Sequence, residues 1–288
     1  MRWEDEQESS NLEDRRGMSR GGGIAVGGGL TGIIVLVLAL VFGVDPRALL
    51  QEGGGPQPNA GYETRRADPA EESLKRFTGV VLNKTEDVWN KLMPEKLNKR
   101  YVEPKLVLFS GLVESACGRA STASGPFYCP ADQKVYLDLT FFRELATNYQ
   151  AAGDFAQAYV IAHEIGHHIQ NQLGILGQVH SKSGRVSKTE ENQLSVRTEL
   201  QADFLAGIWA HYEQSMKSSL DPGDLEEALR AANAVGDDRL QKQGQGYVVP
   251  DSFTHGTSAQ RMKWFRLGFE TGDLSRLMEP FKVSYSQL

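Results

Sequence analysis

Residues 154–174 read DFAQAYVIAHEIGHHIQNQLG, and this stretch decides how the chain folds. Phe155, Tyr159, Ala162, Ile165, Ile169 and Leu173 recur at the three-and-four spacing of a helix with one apolar face. Gly174 follows as a C-terminal stop, so the spacing predicts a helix over 154–173. Inside it, His163-Glu164-Ile165-Gly166-His167 forms the pattern H-E-x-x-H. Residues i and i+4 stand one above the other on a helix, so both imidazoles can turn toward a single Zn²⁺. Glu164, one step round, reaches the coordination position where water sits. Two His ligands, a further protein ligand and an open position make a hydrolytic centre. Two surface histidines with an incidental glutamate would be the plain alternative. The apolar neighbours argue against it, because buried imidazoles without partners are costly.

The centre needs a third ligand. The extended pattern H-E-x-x-H-x-x-G-x-x-H is excluded, because Gln170 and Leu173 stand where it requires Gly and His. The next long helical stretch carries Glu199 and Asp203, four apart on one face. Stacked carboxylates repel unless a cation lies nearby. Zn²⁺ at Glu199 and an imidazole at Asp203 would relieve that repulsion, with Asp203 orienting the ring through its distal N–H. The alternative for this pair is a solvated acidic stripe. His180, in a polar loop-like stretch, and His211, about a third of a turn off the Glu199 face, are rival ligands. His168 points away from the metal face and reads as structural.

The flanking pattern places this helix in an α+β domain. A helix is expected from Pro69, with Leu74, Phe77, Val81, Val88 and Leu92 on its apolar face. Strands are expected at 105–109, 127–129 and 134–139, then helices at 140–149, 190–213, 222–241 and 257–270. A run of strands followed by helices, without βαβ alternation, predicts a small antiparallel or mixed sheet plus several helices over 69–288. Strand 134–139 (KVYLDL) is a candidate sheet edge for pairing with an extended peptide. Cys117 and Cys129 flank a Gly/Ser-rich stretch that can turn back, so a disulfide is expected, worth about 3 kcal/mol for a loop of this size.

Composition bounds the rest. The chain has 288 residues, with 31 Lys+Arg against 37 Asp+Glu and a net charge of −6. That balance argues against a phosphate-gripping nucleic-acid binder, and no nucleotide cofactor is expected. Residues 24–44, IAVGGGLTGIIVLVLALVFGV, carry no charge and have the length of a membrane span. Arg15, Arg16 and Arg20 precede it, whereas only Arg47 follows closely. The expectation is a single-pass membrane protein: a cytoplasmic, acidic, disordered tail at 1–23, a transmembrane helix at 24–44, a linker at 45–68, and a domain in the periplasm or outside the cell.

H-E-x-x-H followed on a later helix by E-x-x-x-D resembles the gluzincin class of zinc metallopeptidases. CGRASTASGPFYCPADQKVYLDLTFF, AYVIAHEIGHHIQNQLG, ELQADFLAGIWAH and SFTHGTSAQRMKWFRLGF together resemble the bacterial putative neutral zinc metallopeptidase family (YpfJ-type). The resemblance implies a zincin-like metallopeptidase domain with one zinc per chain, held by His163, His167 and Glu199. It implies Glu164 as general base and Asp203 as partner to a ligand. His255, in Thr-His-Gly, is similar to a Thr-His-Pro segment near the active site of other membrane-associated zinc peptidases, which implies a transition-state contact; a helix-entry cap is the alternative. The expected function is a membrane-anchored peptidase acting on peptide or protein. A non-catalytic zinc-stapled binding protein and a zinc amidase acting on cell-wall peptide remain the alternatives.

Overall fold

The computed structural model describes residues 1–17 and 68–288. Among them the chain runs β1 (Leu12–Asp14), α1 (Pro69–Leu97), β2 (Lys105–Phe109), β3 (Leu112–Ser115), β4 (Gly118–Ser121), β5 (Phe127–Cys129) and β6 (Lys134–Asp138). Helices follow: α2 (Thr140–Thr147), α3 (Asp154–Gln172), α4 (Ile175–His180), α5 (Lys188–Lys217), α6 (Asp224–Ala234), α7 (Asp237–Gln245), α8 (Ser258–Thr271) and the short α9 (Glu279–Lys282). The main sheet has the order β1-β2-β6-β5. β1, β2 and β6 are parallel, and β5 runs antiparallel to β6. A separate hairpin pairs β3 with β4. This is a mixed α/β architecture of nine described helices and small sheets.

The inner strands β2 and β6 are buried along nearly their whole length. On one face Leu106, Leu108, Val135 and Leu137 join Phe77, Val81, Trp89, Phe155, Ile165, Phe204, Trp209 and Phe265 in the main core, and on the other Val107, Phe109 and Tyr136 form a smaller cluster with Val113 and Cys129. β6 therefore lies inside the sheet. The expectation that KVYLDL forms an edge is corrected: β5 ends the sheet on that side. The expected helix 222–241 is two helices. A Cβ at Gly236 would fall 2.4 Å from the Ser258 backbone nitrogen, so the chain breaks there to let α8 approach.

The largest correction concerns the N-terminus and the membrane. Residues 1–17 are an integral part of the domain. β1 pairs in register with β2, Leu12 opposite Leu106. Trp3 packs edge-on against Phe77 at 5.2 Å, and Arg16 pairs with Glu71 and Glu72. The Met1 amine bonds Asp154 at 2.7 Å and Asp224 at 3.3 Å, within an acidic group that also contains Glu227. A chain that crossed a bilayer once between residues 17 and 69 would have these two ends on opposite sides, yet they share one sheet. Among the described residues no helix is long and apolar enough to cross a membrane. The single-pass topology and the cytoplasmic, disordered tail are thereby overturned, and with them the α+β domain behind a transmembrane helix. Residues 18–23 of the expected tail, the stretch expected to span, 24–44, and residues 45–67 of the expected linker lie outside the described residues.

Candidate metal centre

Three side chains from two helices converge. α3 carries His163 and His167 one turn apart, and α5 carries Glu199. The helices can approach because residue 166 is glycine: a Cβ there would lie 3.0 Å from the Ala202 carbonyl oxygen. The His163 Nε2 lies 3.2 Å from one Glu199 oxygen, and the His167 Nε2 lies 3.4 Å from the other. The two rings stand at 86° to each other. One donor atom from each residue falls within 4.8 Å of the others. Tetrahedral donors about 2.05 Å from a zinc ion lie about 3.3 Å from one another. The two nitrogen–oxygen separations are close to that value, and the donor set is of the nitrogen and oxygen type that zinc favours. The residues present therefore fit the ion.

The electrostatics of this group are those of a cation site. Burial opposes charge on His163, but the Asp203 carboxylate and the hydrogen bond to it, reinforced by Glu199, raise its pKa to about 9. Burial likewise opposes charge on His167, and the Glu199 carboxylate again wins and raises it. Against the same penalty, the two imidazoles hold Glu199 well below the usual carboxylate range. Protons therefore compete with a metal ion at both rings.

Each ring is held from behind. His163 Nδ1 meets Asp203 Oδ1 at 2.9 Å. Asp203 has no exposure and is saturated with donors: Arg261 Nε at 2.8 Å, Arg261 Nη2 at 3.0 Å and the Tyr159 hydroxyl at 2.5 Å. His167 Nδ1 meets Gln170 Oε1 at 2.8 Å. Glu164 is buried beside the pair, and its charge acts on the His167 ring.

His255 is half-exposed, and its Nδ1 lies 3.1 Å from Asp237 Oδ1. The other Asp237 oxygen accepts the backbone N–H groups of Thr254, His255 and Gly256. Burial opposes the imidazolium, but Asp237 and the charge of Glu199 raise the His255 pKa above its ordinary value. The cap of α8 is Thr257 with Gln260, so His255 itself is not the capping residue. The rival ligands lie elsewhere. His211 Nδ1 bonds the Phe269 carbonyl at 2.7 Å, and His180 is exposed at the end of α4.

His168 faces away from this centre. Its Nε2 bonds the Val102 carbonyl at 2.6 Å and its Nδ1 the Tyr128 hydroxyl at 3.0 Å. Burial pushes its pKa down to about 4. The unfolded chain binds this proton from the ordinary value of 6.5 downward, the folded chain only near 4. Folding stability must fall as pH drops through that window, by up to roughly 3 kcal/mol. In urea titrations His168→Gln should flatten the slope of stability between pH 6.5 and 4. An unchanged slope would assign the acid sensitivity to other groups.

Four residues of this constellation were not singled out from sequence: Tyr159, Gln170, Asp237 and Arg261. Arg261 carried a readable signal. With Trp264, Phe265 and Gly268 it forms the buried face of α8, and an arginine on an apolar face needs a buried carboxylate. The disulfide between Cys117 and Cys129 is formed, with Cα atoms 5.8 Å apart, and ties the β3–β4 hairpin to β5.

A family model described as "Putative neutral zinc metallopeptidase" matches residues 1–278. An Escherichia coli (strain K12) protein, "Uncharacterized protein YpfJ", is 49% identical over 283 residues, covering 95% of this chain and 96% of that one. An uncharacterized protein of Mycobacterium tuberculosis (strain H37Rv) is 40% identical over 258 residues, covering 82% of each chain. No solved structure shows a significant match. The family's name implies zinc, which agrees with the donor set on α3 and α5. By both the family model and the extent of these relatives, the chain belongs to the putative neutral zinc metallopeptidase family.

Proposed function

We propose that this chain hydrolyses peptide bonds in a zinc-dependent reaction at the His163/His167/Glu199 centre. The observation that carries the reading is the convergence of both Nε2 atoms on the two Glu199 oxygens, with the Glu164 carboxylate buried alongside. Bound zinc supplies Lewis acidity toward water and toward a scissile carbonyl. Glu164 takes the proton of the attacking water and delivers it to the leaving amine. Asp203 and Gln170 keep both Nε2 lone pairs directed at the ion. His255, whose Nδ1 is held by Asp237, would offer its Nε2 proton to the carbonyl oxygen as negative charge grows there.

The substrate is an extended peptide pairing with β5. This strand ends the sheet, and its Tyr128 hydroxyl accepts from Asn171, one turn after His167 on α3. Main-chain pairing makes little demand on sequence. The purified full chain should therefore cleave members of a diverse peptide library, lose that activity on chelation and regain it with stoichiometric zinc. A zinc-loaded protein that cleaves no peptide would sink this reading in favour of a zinc staple without catalysis.

A further inference from the structure

His163 and His167 are both backed by a side chain, but the two backings differ in kind. Asp203 is a carboxylate and leaves no doubt about the His163 proton. His167 meets an amide, whose two ends are chemically opposite. Which end faces the ring is decided at a distance, by groups that can only accept.

The chain begins at a backbone carbonyl. Gln201 Nε2 donates to the Leu277 oxygen at 2.7 Å. A carbonyl only accepts, so the NH₂ end of Gln201 must face it, and Gln201 Oε1 must point the other way. That Oε1 accepts from Gln170 Nε2 at 2.9 Å. Gln170 Nε2 also donates to the Thr198 carbonyl at 2.7 Å, a second group that only accepts. Both protons of the Gln170 amide are thereby used, and its Oε1 is left facing His167 Nδ1 at 2.8 Å. The oxygen needs a donor, so His167 carries a proton on Nδ1, which leaves Nε2, beside Glu199, as the atom free to ligate an ion. Gln170 and Gln201 are wholly buried, and no water competes for these bonds. A glutamate of the same shape would set a carboxylate against two acceptors.

We infer that Gln170 is the positioning residue for His167, and that its orientation is fixed jointly by the Thr198 carbonyl and by Gln201, which the Leu277 carbonyl in the C-terminal segment orients in turn. The tautomer of one proposed zinc ligand is then set in part from the far end of the chain. This rests on the zinc reading of the centre, and it concerns affinity for the ion rather than the chemical step.

The test uses the full chain, with zinc affinity measured by competition against a chelator and the His167 Nδ1–H followed by NMR in the zinc-loaded protein. Gln170→Leu and Gln170→Glu should each weaken zinc binding about 10–100-fold, with loss or shift of the Nδ1–H signal. Gln201→Leu touches no ligand and should weaken binding in the same direction by a smaller factor, with the same signal perturbed. Should Gln170→Leu fail to fold, Gln201→Leu and Gln201→Met carry the test alone. Zinc affinities within twofold of wild type, with the Nδ1–H signal unmoved, would overturn the inference while leaving the centre intact. A wild-type chain that binds no zinc at His163, His167 and Glu199 would overturn both.

Discussion

Glu164→Gln should bind zinc as wild type does and lose roughly 10²–10⁴-fold in kcat/KM for peptide cleavage. The size follows from what the substitution removes. Glu164 is not one of the three converging donors, so the affinity of the centre rests on His163, His167 and Glu199. Glutamine keeps the shape of the side chain in its buried position but cannot accept a proton from water. The loss should fall on kcat, with KM little altered, because the interaction exists only as the proton moves. Glu199→Gln is the contrasting variant. It removes the carboxylate that both Nε2 atoms face, and it should lose zinc and activity together. Metal analysis and steady-state kinetics on the two variants separate the roles. Wild-type turnover in Glu164→Gln would place the proton acceptor elsewhere.

The parts of this centre that could be read from sequence are those with a strict helical period. His163 and His167 lie one turn apart inside an apolar repeat with Glu164 next to the first, and Glu199 with Asp203 repeats that spacing on a second helix. Local geometry alone sets such relations, so they survive without knowledge of the tertiary fold. Asp237 reaches the site only through the packing of α7, which no spacing announces, and the period of α8 marks Arg261 as buried without naming the carboxylate it meets. The N-terminus failed for a similar reason. Its charged residues read as solvated, but Arg16 and Glu6 find partners on α1, at Glu71, Glu72 and Lys84. A three-residue strand such as β1 is too short for any period to show. The topology argument then inherited the error, because counting arginines beside an apolar run assumes that the flanks do not pair with each other.

The second large effect concerns stability. Arg261→Met should destabilise the metal-free protein by about 3–5 kcal/mol, because it strips a buried carboxylate of its cation. Asp203 has no exposure, and burial alone would favour its protonation. Arg261 first and His163 second hold it ionised. Remove the guanidinium, and the charge is left with one imidazole and one hydroxyl. Adding Asp203→Asn to Arg261→Met removes the unpaired charge and should restore much of the lost stability, so the two changes should be far from additive. The neutral amide can still accept from His163, as Gln170 does from His167, but it draws less charge onto the ring. Zinc affinity in the double variant should therefore remain about 10–100-fold below wild type although the fold recovers. Measurements must be made without metal, since bound zinc adds a stability that grows with its own concentration. Urea unfolding of the apo proteins gives the first quantity and chelator competition the second. Equal stability of Arg261→Met and wild type would mean that Asp203 is satisfied by His163 and Tyr159 alone.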